Sequence, residues 1–344
     1  MIPGRQLASR VLGSRLARLL PAAEAGGLLV LAYHRVTEAD PESFPFDYGV
    51  VSASPDEFRR QMKFVRQNFD VLSFSELNSL ERERQAWPRR ALIVTFDDGY
   101  LDNYSNAFPV LKEFAVPGTI FLSTGFIGKR TLFWWDLIAY CFKQTELDSA
   151  VLEEISLTPF ALRDGLERVA AIDSVLRWVK RVPDCVKNRF VAALPKRLGM
   201  VLGDERFPRM HLNWDVVREM AASGIEFGSH TVTHPVLANV SLDQLRIEVR
   251  ESKKEIESHT GRQALTFSYP VGNKGNFTRT SRDEVERAGY RYAVSYVEGL
   301  AGKQGYDRLA IPRVHVDADH PAGLFAANLT FPRLMLREQA PYSL

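Results

Sequence analysis

Short apolar runs alternate with amphipathic segments along most of this 344-residue chain. Leu28–Tyr33, Ala91–Phe96, Gly118–Leu122, 225–228, 264–269, 291–296 and 309–316 are runs of strand length. Between them lie stretches with helix signals. Ser54-Pro55-Asp56-Glu57 supplies an N-cap, a first-position proline and acids in the first turn. Ser241-Leu242-Asp243-Gln244 has the capping-box pattern, and Gly224 stops a helix over about 214–223. A further short strand is expected at Val71–Phe74. Strand–helix alternation of this kind predicts an α/β protein with a parallel sheet or barrel. From about 130 to 212 the rhythm breaks. The aromatic stretch Phe133–Tyr140 reads as a helix, and the remainder shows no clear strands, so a helical insertion is expected there. It would serve as a lid, an acceptor-binding wall or a structural pad. Trp134 and Trp135 would stack on a sugar ring or pack in the core.

Two strand ends carry chemistry. Asp97 and Asp98 close the run Ala91–Phe96, and His230 and His234 follow the run 225–228. An Asp-Asp-Gly after a strand also suits a turn, and two histidines four apart also suit one helix face. Together they supply one carboxylate and two imidazoles for a divalent metal, plus a second carboxylate to act as base on water. Barrel folds collect catalytic groups at such strand ends.

These residues resemble the polysaccharide deacetylases, the NodB-like group of carbohydrate esterase family four. Thr95-Phe96-Asp97-Asp98-Gly99 and His230-Thr231-Val232-Thr233-His234 resemble the family's first two motifs. Tyr33-His34-Arg35-Val36 resembles the first-strand signature of the exopolysaccharide-associated branch. Phe267–Gly272 resembles the third motif, and Ile311–Val316 occupies the place of the last. The resemblance implies a distorted, incomplete (β/α) barrel and a metal-dependent N-deacetylase of a bacterial polysaccharide or its lipid-linked precursor. It implies Asp98, His230 and His234 as metal ligands, with zinc the expected ion, and Asp97 as base. It implies the Tyr269 N–H as oxyanion donor and His315 as the acid for the leaving amine, with His34 lining the pocket. Thr266 stands where many members carry an arginine. Arg313 shares a strand face with His315 and is expected to supply that cation, and Asp317 to replace an unrecognised fourth-motif aspartate. The rival readings are a deacetylase or deformylase of peptidoglycan or envelope lipid-sugars, and a catalytically silent glycan-binding or assembly protein.

Formal net charge is +2, which gives no reason to expect a nucleic-acid partner. The two cysteines, Cys141 and Cys185, are expected as buried thiols. His211, His259 and His320 are expected at the surface or in local hydrogen bonds. No stretch is long and apolar enough to span a bilayer. Residues 1–27 form a separate basic segment ahead of a single domain over 28–344. Arg5, Arg10, Arg15 and Arg18 are interleaved with leucines at helical spacing rather than ordered as a signal peptide. The segment reads either as a peripheral membrane helix over residues 1–20 or as a helix packed on the domain. A cytoplasmic or inner-membrane-peripheral location is expected.

Overall fold

The computed structural model describes residues 27–203, 207–302, 305–320, 323–336 and 338–339. The basic N-terminal segment therefore lies outside the described residues, and with it the expected membrane contact. Seven strands form the barrel: β1 Gly27–Tyr33, β2 Ala91–Phe96, β3 Thr119–Leu122, β4 Glu226–Ser229, β5 Thr266–Ser268, β6 Tyr292–Glu298 and β7 Ile311–His315. They are hydrogen-bonded in the order β1-β7-β6-β5-β4-β3-β2, all parallel. Pairing of β1 with β2 from Leu29↔Leu92 to Tyr33↔Phe96 closes the ring. The barrel thus has one strand fewer than the eight of a full (β/α) barrel. Its thinnest seam is β4–β5, joined at Phe267↔Ser229 alone.

Continuous apolar runs suit parallel strands buried on both faces. Leu29, Leu31 and Tyr33 point outward to Phe58, Met62 and Val65 of helix α1 (Pro55–Asn68). Val30, Ile93, Phe121, Val294 and Ile311 alternate with them and pack together in the lumen. Two residues further along β2 and β7, the same inward face carries Thr95 and Arg313. The lumen is therefore apolar at the base and polar toward the rim where all seven strands end.

Val71–Phe74 is not a strand throughout. Only Asp70–Val71 pairs with β2, because Ser73 caps the helix Phe74–Arg82 in a reciprocal box with Glu76. The insertion between β3 and β4 is not wholly helical either. It holds helices α2 (Trp134–Gln144), α3 (Gly165–Val179) and α4 (Asp184–Arg197), with an antiparallel hairpin, Ser149–Leu152 with Ser156–Ala161, between the first two. The hairpin was hidden because only its first strand alternates, with Ala150 and Leu152 inward, while the second is mostly exposed or half-buried. The insertion has its own core, built on Phe133, Trp135, Phe142, Leu152, Val175 and Leu194. Cys141 joins that core, whereas Cys185 is exposed; both are free thiols. His211 is also interior, its Nε2 2.7 Å from the Thr131 carbonyl and its ring against Phe133. His259 stacks on Trp214, and His320 sits 3.3 Å from Asp317.

Beyond the insertion come α5 (Trp214–Ala222), α6 (Leu242–Thr260) and α7 (Arg279–Arg287). Among the described residues no helix is long and apolar enough to cross a membrane. Gly228 in β4 passes close to its neighbours: a Cβ there would lie 2.3 Å from Thr266 Oγ1 and 2.6 Å from the Phe121 ring. Gly228→Ala is expected to destabilise the barrel by about 1–3 kcal/mol through overpacking. Thermal unfolding of the variant, read by circular dichroism, checks this.

Candidate active site

Asp97 and Asp98 leave β2 at the rim, His230 and His234 leave β4, and Tyr269 leaves β5. Backbone strain gathers here. Asp98, Thr231, His234 and Val271 all have positive φ, at 76°, 70°, 56° and 61°. Non-glycine residues in that region are held there by their surroundings. The His230–His234 turn is held by Glu248 of α6. Glu248 Oε2 accepts the N–H groups of Val232 and Thr233 at 2.8 Å, and Oε1 accepts the Thr233 hydroxyl at 2.5 Å. The two histidines are thus presented by a strained turn, not by a helix face.

Asp98, His230 and His234 converge. Nε2 of His230 lies 3.1 Å from Nε2 of His234. Asp98 Oδ1 lies 3.5 Å from the first and 3.6 Å from the second. Bonds of about 2.0–2.2 Å at tetrahedral angles place ligand atoms about 3.3–3.6 Å apart, so the triangle fits one zinc-sized ion. All three residues are buried. Among the described residues neither Asp98 oxygen has a hydrogen-bond partner. Burial, then the charges of Asp97 and Asp136, push the Asp98 carboxyl well above its usual range. Such a group is stable as an anion only against a cation. Burial lowers both imidazoles, which keeps them neutral. His230 Nδ1 lies 2.7 Å from the Ser268 carbonyl; donating its proton there leaves Nε2 free to ligate.

Asp97 is held differently. Arg313, fully buried, reaches it with two parallel bonds: Nη1 to Oδ1 at 2.8 Å and Nη2 to Oδ2 at 2.7 Å. Nε donates to Ser295 O at 2.9 Å, and the remaining donors meet Thr95 Oγ1 and Ser268 Oγ, both at 3.2 Å. All of the guanidinium's N–H groups are therefore answered. Burial would push Asp97 up, but the charge of Arg313 and its hydrogen bonds hold it well below the usual carboxylate range.

Sequence reasoning brought these five residues to one place, and the structure puts them there. It differs at three others. His315 and Arg313 share a strand, yet His315 lies outside the cavity of about 400 Å³ that contains Asp97 and Asp98. The β6–β7 register shifts between Val294 and Glu298. The Tyr296 ring stands on the pocket side of His315, stacked on it at 3.7 Å. His315 Nε2 is 3.1 Å from the Tyr296 carbonyl. Asp317 is 3.3 Å from His320 and so faces a different imidazole. The N–H of Tyr269 is also committed, donating to the Val294 carbonyl at 3.1 Å. The neighbouring Val271 lines the cavity, and its N–H has no hydrogen-bond partner among the described residues. His34 takes the place expected of His315. It lines the cavity with Nε2 3.9 Å from Asp97 Oδ2. Burial lowers its imidazole to about 4, opposed by the Asp97 charge.

Glu248 and Ser268 were missed. A glutamate on the buried stripe with Leu245, Val249 and Ser252 was the only available signal for the first. Trp134 and Trp135 both line the cavity. Trp134 Nε1 donates to the His234 carbonyl at 3.2 Å, and the Trp135 ring packs 4.4 Å from His234.

A polysaccharide deacetylase family model matches residues 84–162 and 178–293. The chain belongs to the polysaccharide deacetylase family. The Bacillus subtilis protein called putative polysaccharide deacetylase YxkH is 23% identical over 304 residues, covering 88% of this chain and 76% of that protein. A poly-beta-1,6-N-acetyl-D-glucosamine N-deacetylase of Staphylococcus epidermidis is 33% identical over 113 residues, which is 30% of this chain and 39% of its own length. Among solved structures, the Streptococcus pyogenes deacetylase PplD in complex with acetate has a TM-score of 0.57 at 18% identity, covering 88% of this chain and 98% of that one. IcaB from Ammonifex degensii has a TM-score of 0.55 at 20% identity, covering 88% and 97%. These two show a shared fold. As a member of this family the protein is a hydrolase of amide bonds.

The Asp98–His230–His234 geometry predicts one divalent ion per chain. His230→Ala is expected to lower bound metal sharply, measured by elemental analysis of the purified protein. Stoichiometric metal in a His230→Ala, His234→Ala double variant would remove these residues as ligands.

Proposed function

We propose that the protein removes N-acetyl groups from an amino sugar of a bacterial polysaccharide or its lipid-linked precursor, with zinc held by Asp98, His230 and His234. One observation carries this reading. A carboxylate kept ionised by a bidentate arginine, Asp97, shares a cavity with a donor triad of one carboxylate and two imidazoles. A silent binding protein needs no base beside such a triad. The names of the staphylococcal relatives favour poly-N-acetylglucosamine as the substrate class.

A bound divalent ion supplies Lewis-acid polarisation of the acetyl carbonyl and acidifies water. Asp97 takes the proton of the attacking water. The Val271 N–H, free of other partners among the described residues, meets the charge that grows on the carbonyl oxygen. When the carbon–nitrogen bond breaks, Asp97 passes the water proton to His34 Nε2, 3.9 Å away, and the imidazolium so formed gives it to the leaving amine. His34 thus takes the acid role that sequence resemblance had given to His315. Trp134 and Trp135 provide an apolar wall that limits water around the reacting group.

Acetate release from N-acetylglucosamine oligomers, dependent on added zinc, is the direct test. Asp97→Asn is expected to keep the metal and lose about two orders of magnitude or more in rate. Near-normal turnover in that variant would overturn the base assignment. Arg313→Met removes the charge that depresses Asp97, so its pKa rises. The acidic limb of the pH–rate profile is then expected to move to higher pH, and an unmoved limb would separate Arg313 from the base. His34→Ala is expected to cost about two orders of magnitude on amides and much less on activated aryl esters, whose leaving group needs no proton. His315→Ala is expected to show no such split between amide and ester.

A further inference from the structure

One face of α3 runs out of the catalytic cavity. Asp173 and Arg177 on that helix, and Lys180 at its C-cap, line the cavity together with Leu176. Leu166 and Val169 continue the same three- and four-residue spacing toward the helix start, so 166, 169, 173, 177 and 180 share one side of α3. From Lys180 back to Leu166 this stripe is about 21 Å long at the helical rise per residue. Its cavity end is charged, and its far end is apolar.

Neither end is satisfied within the chain. Arg177 Nη2 donates to Ser174 Oγ at 3.1 Å, but neither Arg177 nor Lys180 is in an ion pair among the described residues. Asp173 stands one turn from Arg177 without pairing with it, and Asp47 spends Oδ1 on the Gly49 N–H at 2.9 Å. Two unpaired cations in the wall of a cavity attract an anion. At the apolar end Leu166 is 81% exposed and Val169 41%. They do not stand alone. Of the eight large apolar side chains exposed among the described residues, five fall within 147–169: Leu147, Val151, Leu157, Leu166 and Val169. That segment is the hairpin and the start of α3, into which the hairpin runs. Single exposed apolar residues need no cause, but a concentration of them beside a cavity marks contact with something apolar.

We propose that this face of α3 binds the phosphate and lipid of an amphiphilic substrate, an N-acetylated sugar joined through a phosphate ester to an apolar tail. The acetamido group lies at Asp97 and the donor triad, the phosphate meets Arg177 and Lys180, and the tail leaves the cavity over Val169 and Leu166. Charge at the cavity wall and apolar surface beyond it follow one another along α3 in the order in which such a molecule carries its sugar, its anion and its tail. A finished polysaccharide has no use for the apolar end. Between the polymer and its lipid-linked precursor, the stripe therefore selects the precursor. This inference rests on the deacetylase reading above, because it names the substrate of the same cavity.

The test uses four probes that separate anion from tail: the methyl and geranyl glycosides of N-acetylglucosamine, and its methyl-phosphoryl and geranyl-phosphoryl esters. Binding to the full chain is measured by isothermal titration at low salt. The phosphate is expected to tighten binding about fivefold, as a partly exposed ion pair does. The geranyl tail is expected to tighten it about tenfold through burial of apolar surface. An Arg177→Gln, Lys180→Gln variant is expected to lose the phosphate gain and keep the tail gain. A Leu166→Ser, Val169→Ser variant is expected to do the reverse. None of these four side chains is buried, so both variants keep the fold. The phosphate gain falls as salt rises, because exposed charges are screened. Equal binding of all four probes, or gains that survive in the matching variants, would overturn the proposal. So would a dimer in solution that the Leu166→Ser, Val169→Ser variant abolishes, since the apolar face would then belong to a second copy. Acetate release from the geranyl-phosphoryl probe and from an N-acetylglucosamine pentamer is measured alongside. Its absence from both would overturn the deacetylase reading, while the binding ratios alone decide the role of α3.

Discussion

The ion pair between Arg313 and Asp97 is the constraint on which the rim of this barrel depends. Arg313 is contributed by β7, yet its donors reach residues of β2, β5 and β6. A guanidinium inside a barrel is tolerable only when every N–H has an acceptor and its charge is matched. The chain meets both conditions with Thr95, Ser268, Ser295 and Asp97. Removing one partner of such a buried pair typically costs about 3–5 kcal/mol, because the other charge is left uncompensated. The same bonds that seat the arginine fix both oxygens of Asp97 and keep it ionised. Stability of the upper lumen and basicity of the candidate base are therefore one arrangement.

The candidate metal donors depend on a different kind of support. Three of the residues in or between the donors, Asp98, Thr231 and His234, adopt left-handed backbone. The 230–234 turn is held by neighbours outside the donor set. Glu248 gathers the 232–233 amides, Thr231 Oγ1 accepts the His234 N–H at 3.0 Å, and Ser268 O orients His230. Strain of this sort persists only where the surroundings over-determine the backbone. Here the surroundings come from α6 and β5, which approach the turn only once the barrel has closed.

The insertion completes the site rather than sitting apart from it. Trp135 Nε1 donates to the Tyr100 hydroxyl at 2.8 Å, and that hydroxyl donates to Asp136 at 2.7 Å. Asp136 also accepts the Asp47 N–H at 3.1 Å. One buried carboxylate thus ties α2 to the residue after Asp97-Asp98-Gly99 and to the 47–51 turn. At the other end, Asp184 of α4 pairs with Lys187 at 2.6 Å and accepts Gln244 of α6 at 2.9 Å. The tryptophan wall over His234 is consequently anchored at both ends to the barrel.

The sequence by itself determined the barrel strands, the α/β class and the cluster of candidate metal donors. Those follow from local rules: continuous apolar runs for buried parallel strands, caps and glycine stops for helices, and functional groups at strand ends. Asp97, Asp98, His230 and His234 were legible because short, contiguous motifs carry them. Arg313 was legible because two-residue alternation on β7 held as far as the rim. His315 was misplaced because that alternation does not say what stands between a side chain and the cavity. A register shift beside β7 and the ring of Tyr296 put it on the other side of a partition. The role of Tyr269 failed for a similar reason, since only the paired β6 strand reveals that its N–H is already spent. The contacts of Glu248 appear in no motif, and those of Ser268 are not marked by the motif that holds it. They are made by elements far apart in the chain, and distance between such elements is fixed only when tertiary packing brings them together.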